Sequence, residues 1–133
     1  MQHASTTYRV TAKAIINDAA GQVLLVEETG GHRSLPGGGI EHGEDPEAGL
    51  ARELHEELGI SVIHLIKLKS AYPYYSVTRQ AWWLWLLYEV DADLPAPFVG
   101  EHAQTAQFFD IATFKHSVQK SEQRLYEVFK ALP

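Results

Sequence analysis

Three glutamates at helical spacing are the residues of this chain whose types and positions best suit chemistry. Glu53, Glu56 and Glu57 follow the glycine-rich turn Gly37–Gly39. Because an α-helix turns about 100° per residue, positions i, i+3 and i+4 lie on one face. Like charges crowded on one face repel one another. A divalent cation is the obvious compensation, because hard cations bind carboxylate oxygens.

Such a cluster predicts metal-assisted chemistry on a phosphate substrate. Mg²⁺ is typically held by a few carboxylates together with substrate phosphates and water, and backbone carbonyls of Gly37–Gly39 would add further oxygen. The cation would bridge to a diphosphate and lower the pKa of a bound water, while a carboxylate outside the metal shell acts as general base. The alternative interpretation is an acidic face that is only solvated, beside glycines that form only a turn.

Two charged residues flank the cluster. Arg52 lies nearer to Glu56 than to Glu53 on a helix. It would either fix a carboxylate through a bidentate pair or meet a phosphate oxygen. Glu44 precedes the helix and would either anchor the loop or support the metal-binding residues from behind.

The helix that carries these residues has clear boundary signals. Asp45 suits the N-cap and Pro46 the first helical position, so the helix is predicted to begin there. It is predicted to end near Leu58, because Gly59 suits the left-handed C-cap. Leu50 and Leu54 belong to its apolar face, which neighbours the acidic one.

The remaining elements are mostly strands. Arg9–Ile16 and Gln22–Glu28 are predicted strands that a polar turn joins into a hairpin. The other predicted segments are a loop at Thr29–Ser34, a strand at Val62–Lys69, an aromatic loop or strand end at Ala71–Arg79, a central strand buried on both faces at Gln80–Val90, a long connection at Asp91–Gln107, a short strand at Phe108–Phe109 and a helix at Ser121–Leu132. This order predicts an α+β or mixed three-layer fold.

Length, charge and composition exclude several classes of function. The 133 residues predict a single domain over residues 1–133. There is no cysteine, which excludes disulfides, thiolate zinc sites and a cysteine nucleophile. A net charge of −6 argues against a stable complex with nucleic acid. Residues 1–7 lack the layout of a signal peptide and no apolar run is long enough to span a membrane, so a soluble, cytoplasmic protein without a membrane partner is expected.

The acidic segment resembles the signature of the Nudix hydrolase family, in its MutT-like form. That signature is Gly, five residues, Glu, seven residues, then Arg-Glu-apolar-any-Glu-Glu-any-Gly-apolar. Every fixed position is filled here, by Gly38, Glu44, Arg52, Glu53, Leu54, Glu56, Glu57, Gly59 and Ile60.

The resemblance implies a fold, a reaction and a set of roles. The fold would be an α/β/α sandwich around a mixed β-sheet. The reaction would be cleavage of a nucleoside diphosphate linked to another moiety, by attack of water on phosphorus with Mg²⁺ or Mn²⁺. Glu53, Glu56 and Glu57 would hold the cations with the carbonyl of Gly38, while Arg52 and Glu44 orient them. The general base would come from this segment or be Glu101, for which a solvated loop acid is the equal alternative.

Substrate choice is less constrained. Arg33 and Arg79 are candidates for phosphate contacts, and Tyr75 is a candidate for stacking on a base, although aromatic residues also pack sheet edges. A nucleoside triphosphate or dinucleoside polyphosphate is the favoured substrate. ADP-ribose or another sugar nucleotide, and a nucleotide-binding module without turnover, are the alternatives. Family members are often homodimers. His32, His42, His55 and His102 are interpreted as surface residues.

Overall fold

Two β-sheets form the middle layer of the protein in a computed structural model, which describes residues 7–133. The elements are β1 (Tyr8–Ile15), β2 (Val23–Glu28), β3 (His32–Ser34), β4 (Gly37–Gly39), α1 (Pro46–Leu58), β5 (Ile63–Ser76), β6 (Ala81–Ala92), β7 (Gln107–Phe109), a 3₁₀ helix (Ile111–His116) and α2 (Lys120–Lys130). One sheet has the order β4-β1-β6-β5 and the other β3-β2-β7. β1 runs parallel to β6 and antiparallel to β4, so the larger sheet is mixed.

Each face of this layer is covered by one helix, because the strands send alternate side chains to opposite sides. Ala12 and Ala14 of β1 lie in the cluster that contains Leu54 of α1. Ile15 lies in the opposite cluster with Leu125 of α2. The predicted α+β sandwich around a mixed sheet is therefore confirmed.

Helix α1 has the boundaries that its capping residues predict. The Asp45 carboxylate accepts a hydrogen bond from the Ala48 amide at 3.1 Å, and Pro46 occupies the first turn. Gly59 adopts a left-handed conformation with φ 72°, and its amide donates to the His55 carbonyl at 2.9 Å. The residues of the acidic segment are thus fixed on a regular helix.

The predicted hairpin of the first two strands is wrong. The turn at Asp18 forms, with its carboxylate accepting from the Gln22 amide at 2.8 Å, but β1 and β2 lie in different sheets. A single bridge between Asn17 and Val23 is what remains of the hairpin. Both edges of β1 are already paired, with β4 and β6, so β2 pairs with β3 and β7 instead.

Three other predictions need correction. The loop at Thr29–Ser34 contains β3, and the aromatic segment Ala71–Arg79 belongs mostly to the continuous strand β5. Pro73 is tolerated within β5 because that strand lies at the sheet edge. The inner position of β6 is confirmed, but its burial on both faces is not, since Trp82 is 42% exposed. The 3₁₀ helix has no counterpart among the predicted elements.

No helix within residues 7–133 is long and apolar enough to cross a membrane. The expectation that residues 1–7 are not a signal peptide concerns residues that lie outside the described part of the chain, except for Thr7.

Candidate active site

Glu57 joins the acidic face of α1 to strand β4. Its side chain is buried, and one carboxylate oxygen accepts a hydrogen bond from the Gly37 amide at 2.8 Å. The other oxygen lies 3.5 Å from Nε2 of His102. Burial raises the pKa of Glu57 to about 7, and the nearby charge of Glu53 adds to this, whereas the Gly37 hydrogen bond and the Lys13 ammonium act in the opposite direction. An uncompensated charge at this position is therefore unfavourable.

Arg52 connects three of the acidic side chains. Its Nε and Nη2 donate to the two carboxylate oxygens of Glu44 at 2.9 and 3.1 Å, which is a bidentate pair. Its Nη1 lies 3.1 Å from Oε1 of Glu53 and 3.5 Å from Oε2 of Glu56. The hydrogen bonds from Arg52 and from the Glu41 amide lower the pKa of Glu44. Glu44 thus holds Arg52 and accepts from the loop before α1, while its predicted orienting role at a metal site stays a prediction.

Two glycines make room for this network. A Cβ on Gly38 would lie 2.7 Å from Cδ of Glu53, and a Cβ on Gly49 would lie 2.7 Å from Oε1 of Glu44. Both distances are far below van der Waals contact. Gly49 escaped notice in the sequence, where a glycine inside an otherwise regular helix was the available signal.

The metal site remains a prediction. Within residues 7–133, no three His, Asp or Glu side chains are gathered as a ready ligand group. Glu53 and Glu56 are instead bonded to Arg52, and Glu57 to the Gly37 amide. The donor set still fits a hard divalent cation, because it consists of carboxylate oxygens on successive turns of one helix beside the glycine backbone of β4.

A cleft of about 560 Å³ opens on the face of the larger sheet that carries α2, and the glycines of β4 form part of its wall. Its walls include Tyr74, Trp83 and Trp85. The guanidinium carbon of Arg124 lies 4.1 Å from the Tyr74 ring centroid, and that of Arg79 lies 5.5 Å from the Trp83 ring. Guanidinium groups therefore pack on aromatic rings in the wall of the cleft.

The three predicted substrate contacts all line this cleft, with different surroundings. Arg79 is exposed at the rim, and Tyr75 is 46% exposed with its ring 5.4 Å from that of Trp82. Arg33 is already paired with the Glu122 carboxylate of α2, and it lies 4.6 Å over the Phe109 ring. Their contact with a substrate stays a prediction.

Lys13 and Glu28 are cleft residues that the sequence did not reveal. Lys13 is only 6% exposed, and its ammonium donates to the Leu35 carbonyl at 3.2 Å and lies 3.9 Å from Oε1 of Glu28. Burial lowers the pKa of Lys13, while Glu28, Glu57 and Glu53 oppose that shift. A lysine on an alternating strand normally faces solvent, and the covering of both faces of β1 is what places this one inside.

The loop after β6 rests on the C-terminal end of α1. The amides of Glu101 and His102 donate to the carbonyls of Glu56 at 3.1 Å and Glu57 at 2.8 Å. Gly100 permits this approach, with φ 131° and no room for a Cβ, which would lie 2.7 Å from the Glu56 carbonyl oxygen. The Glu101 side chain is exposed. The interpretation of His102 as a surface residue is wrong, because it packs against Glu57.

Comparison with known proteins places this arrangement in context. Residues 7–132 match the model of the NUDIX domain family. An RNA pyrophosphohydrolase of Shewanella sediminis is 37% identical over 67 residues, which are 50% of this chain and 39% of that protein. An RNA pyrophosphohydrolase of Proteus mirabilis is 44% identical over 55 residues, which are 41% of this chain and 31% of that protein. The chain thus spans less than two fifths of the length of these relatives.

Solved structures share the fold at low sequence identity. A NUDIX hydrolase from Nitrosomonas europaea superimposes with a TM-score of 0.68 at 21% identity, covering 94% of this chain and 90% of that one. The dihydroneopterin triphosphate pyrophosphohydrolase of E. coli gives a TM-score of 0.70 at 16% identity, covering 93% and 97%.

The buried carboxyl of Glu57 predicts a pH-dependent stability. Its folded pKa, about 7, lies above its ordinary value of 4.5, so the folded state is progressively penalised as pH rises through this window. Glu57→Gln cannot ionise but can still accept the Gly37 hydrogen bond. The difference in free energy of unfolding between this variant and the wild type should therefore shift in favour of the variant as pH rises. The shift should reach up to about 3 kcal/mol between pH 4.5 and pH 8. Urea denaturation with EDTA measures this.

Glu47→Gln is the matched control, because Glu47 is an exposed acid in the first turn of the same helix. It should follow the wild type at every pH. Stability curves for Glu57→Gln that stay parallel to the wild type would contradict the proposed burial cost.

The Gly38 contact predicts a steric effect that is confined to the site. Gly38→Ala should displace the Glu53 carboxylate and lower Mg²⁺ affinity by about tenfold or more, as the loss of a supporting contact typically does. Gly39→Ala is the control, because no heavy atom lies within 4 Å of its added Cβ. Calorimetric titration with Mg²⁺ compares the two variants. Equal affinities would show that the Gly38 contact does not position Glu53.

Proposed function

We propose, because this chain belongs to the NUDIX domain family, that it is a pyrophosphohydrolase which uses Mg²⁺ or Mn²⁺ to cleave the anhydride linkage of a nucleoside diphosphate derivative. Water would attack phosphorus, and the bond to the phosphate leaving group would break. The observation that carries this proposal is the bonded network that joins Glu44, Arg52 and the acidic face of α1.

The chain's own residues divide into those that bind and those that orient. Glu53 and Glu57 would hold the cation with the carbonyl of Gly38. Glu56, which the family resemblance also assigns to the cation, is left outside its shell here as the proton acceptor. When bound, the cation would supply charge neutralisation for the diphosphate and a lowered pKa for water. Nη1 of Arg52 holds Glu53 and Glu56 in place. The bidentate pair with Glu44 fixes the position of the Arg52 guanidinium.

We assign the general base to the acidic helix rather than to Glu101. The Glu56 side chain is 52% exposed, compared with 20% for Glu53 and 8% for Glu57, so it is the most accessible to an attacking water. Glu101 contributes its backbone amide to the end of α1, and its carboxylate is exposed there. This supports a positioning role for the Glu101 loop, with proton acceptance at Glu56.

A nucleoside triphosphate or dinucleoside polyphosphate is the substrate class we favour. The cleft places several cations beside aromatic faces, which suits a run of phosphates followed by a base. Tyr75 would contact the base and Arg79 a phosphate, with Arg33 a further candidate. ADP-ribose and other sugar nucleotides are the alternative. A cytoplasmic location and homodimer formation stay predictions of the sequence and of the family resemblance.

The proposed reaction predicts loss of turnover without loss of fold in Glu56→Gln. The variant should lose about a hundredfold or more in kcat, the usual effect of removing a general base, and EDTA should abolish wild-type turnover until Mg²⁺ is restored. Chromatography measures the nucleotide, pyrophosphate and sugar-phosphate products from nucleoside triphosphates, dinucleoside polyphosphates and ADP-ribose, because this cleavage does not release phosphate directly. RNA is included because the curated relatives are named RNA pyrophosphohydrolases.

Glu47→Gln again serves as the control and should retain the wild-type rate. Retained binding of a nucleotide without turnover over the whole panel would favour the binding module instead. An unchanged rate in Glu56→Gln would remove Glu56 as the base.

A further inference from the structure

Lys13 lies where the acidic helix and the aromatic cleft meet. In the register of the larger sheet it stands between Gly37 of β4 and Leu87 of β6. The Gly37 amide is bonded to Glu57. On the other side, the Lys13 ammonium lies 5.6 Å from the ring centroid of Trp85. This buried ammonium thus borders both the carboxylates and the cleft wall.

The protein satisfies this ammonium only in part. A lysine ammonium has three N–H donors, and within residues 7–133 its one hydrogen-bond acceptor is the Leu35 carbonyl. Glu28, at 3.9 Å, is beyond hydrogen-bond distance, and its side chain is 46% exposed. A buried charge is strongly unfavourable unless it is paired and hydrogen-bonded. An apolar side chain at this position would fill the same space without the cost of burying a charge.

The surroundings select an anion as the missing partner. Lys13, Gly37 and Gly38 line the same cleft, and Gly38 touches the Glu53 carboxylate. Lys13 lies between Gly37, whose amide bonds Glu57, and the Trp85 ring, so a polyphosphate that spans these two sides would lie beside its ammonium. Glu28 lies at the same cleft and would repel that polyphosphate unless a cation stood beside it.

We propose that the Lys13 ammonium binds a phosphate group of the substrate, as a catalytic residue additional to the acidic helix. This inference rests on the proposed function, since it assigns the phosphate-binding group of the same site. Two unused N–H donors meet the phosphate oxygens, and the Leu35 carbonyl holds the ammonium in place. Lys13 therefore sets a preference for substrates with a polyphosphate chain.

The test uses imidodiphosphate, the nonhydrolysable analogue of pyrophosphate, with Mg²⁺. Lys13→Met removes the charge and keeps the length of the side chain. Lys13→Gln also keeps a donor for the Leu35 carbonyl. Calorimetry should show affinity reduced about tenfold or more in both variants, the size expected for a lost charge-assisted hydrogen bond. Thermal unfolding should show melting temperatures equal to or above that of the wild type, which a purely structural lysine would not give.

Lys69→Met is the matched control. Lys69 lies on β5 and pairs with Glu89 at 3.7 Å, outside the residues that line the cleft. This variant should bind imidodiphosphate like the wild type.

The outcomes separate this inference from the proposed function. One outcome is that the wild type turns over nucleotides and that both Lys13 variants keep its imidodiphosphate affinity and its kcat/KM. That result would overturn the role of Lys13 and support the proposed function. A second outcome is that the wild type turns over no nucleotide but binds imidodiphosphate, and that both Lys13 variants lose this binding. That result would overturn the proposed function and support the phosphate site at Lys13. Absence of imidodiphosphate binding by the wild type would overturn the role of Lys13.

Discussion

The contact between the acidic face of α1 and the glycine backbone of β4 is the constraint on which the site depends. The Gly37 amide bonds the Glu57 carboxylate at 2.8 Å, and Gly38 leaves the space that the Glu53 carboxylate occupies. A side chain larger than hydrogen at Gly38 would push the helix and strand apart or turn Glu53 away. Arg52 and Glu44 connect to this contact through Glu53, and the same glycines of β4 line the cleft.

Coverage of the sheet on both faces has a second effect on the site. Helix α1 packs on one face and α2 on the other, so even the polar positions of β1 are withdrawn from solvent. Lys13 is buried for that reason, and the same layering brings Arg124 over the Tyr74 ring. The acidic helix supplies negative charge on one side of the sheet, and the α2 side of the sheet carries the cations and aromatic rings of the cleft.

The local parts of this arrangement were predictable, whereas the long-range parts were not. The bounds of α1 follow from Asp45, Pro46 and Gly59, since capping acts between residues close in sequence. The hairpin prediction failed because strand pairing depends on which edges of β1 other strands occupy. The contact of His102 with Glu57 joins residues 45 positions apart, and no spacing rule reports such a contact. The burial of Lys13 likewise depends on partners distant in the sequence, such as Leu35 and Trp85.

Gly49 has a consequence for anyone who would engineer this protein. Glycine inside a helix costs about 1 kcal/mol relative to alanine, so any ranking by helix propensity would choose Gly49→Ala as a stabilising change. The added methyl group would occupy the position of the Glu44 carboxylate. Glu44 would then lose its hold on Arg52, so the gain in helix propensity would come with a displaced side-chain network. At this single position, the intrinsic stability of the helix and the geometry of the acidic site make opposite demands.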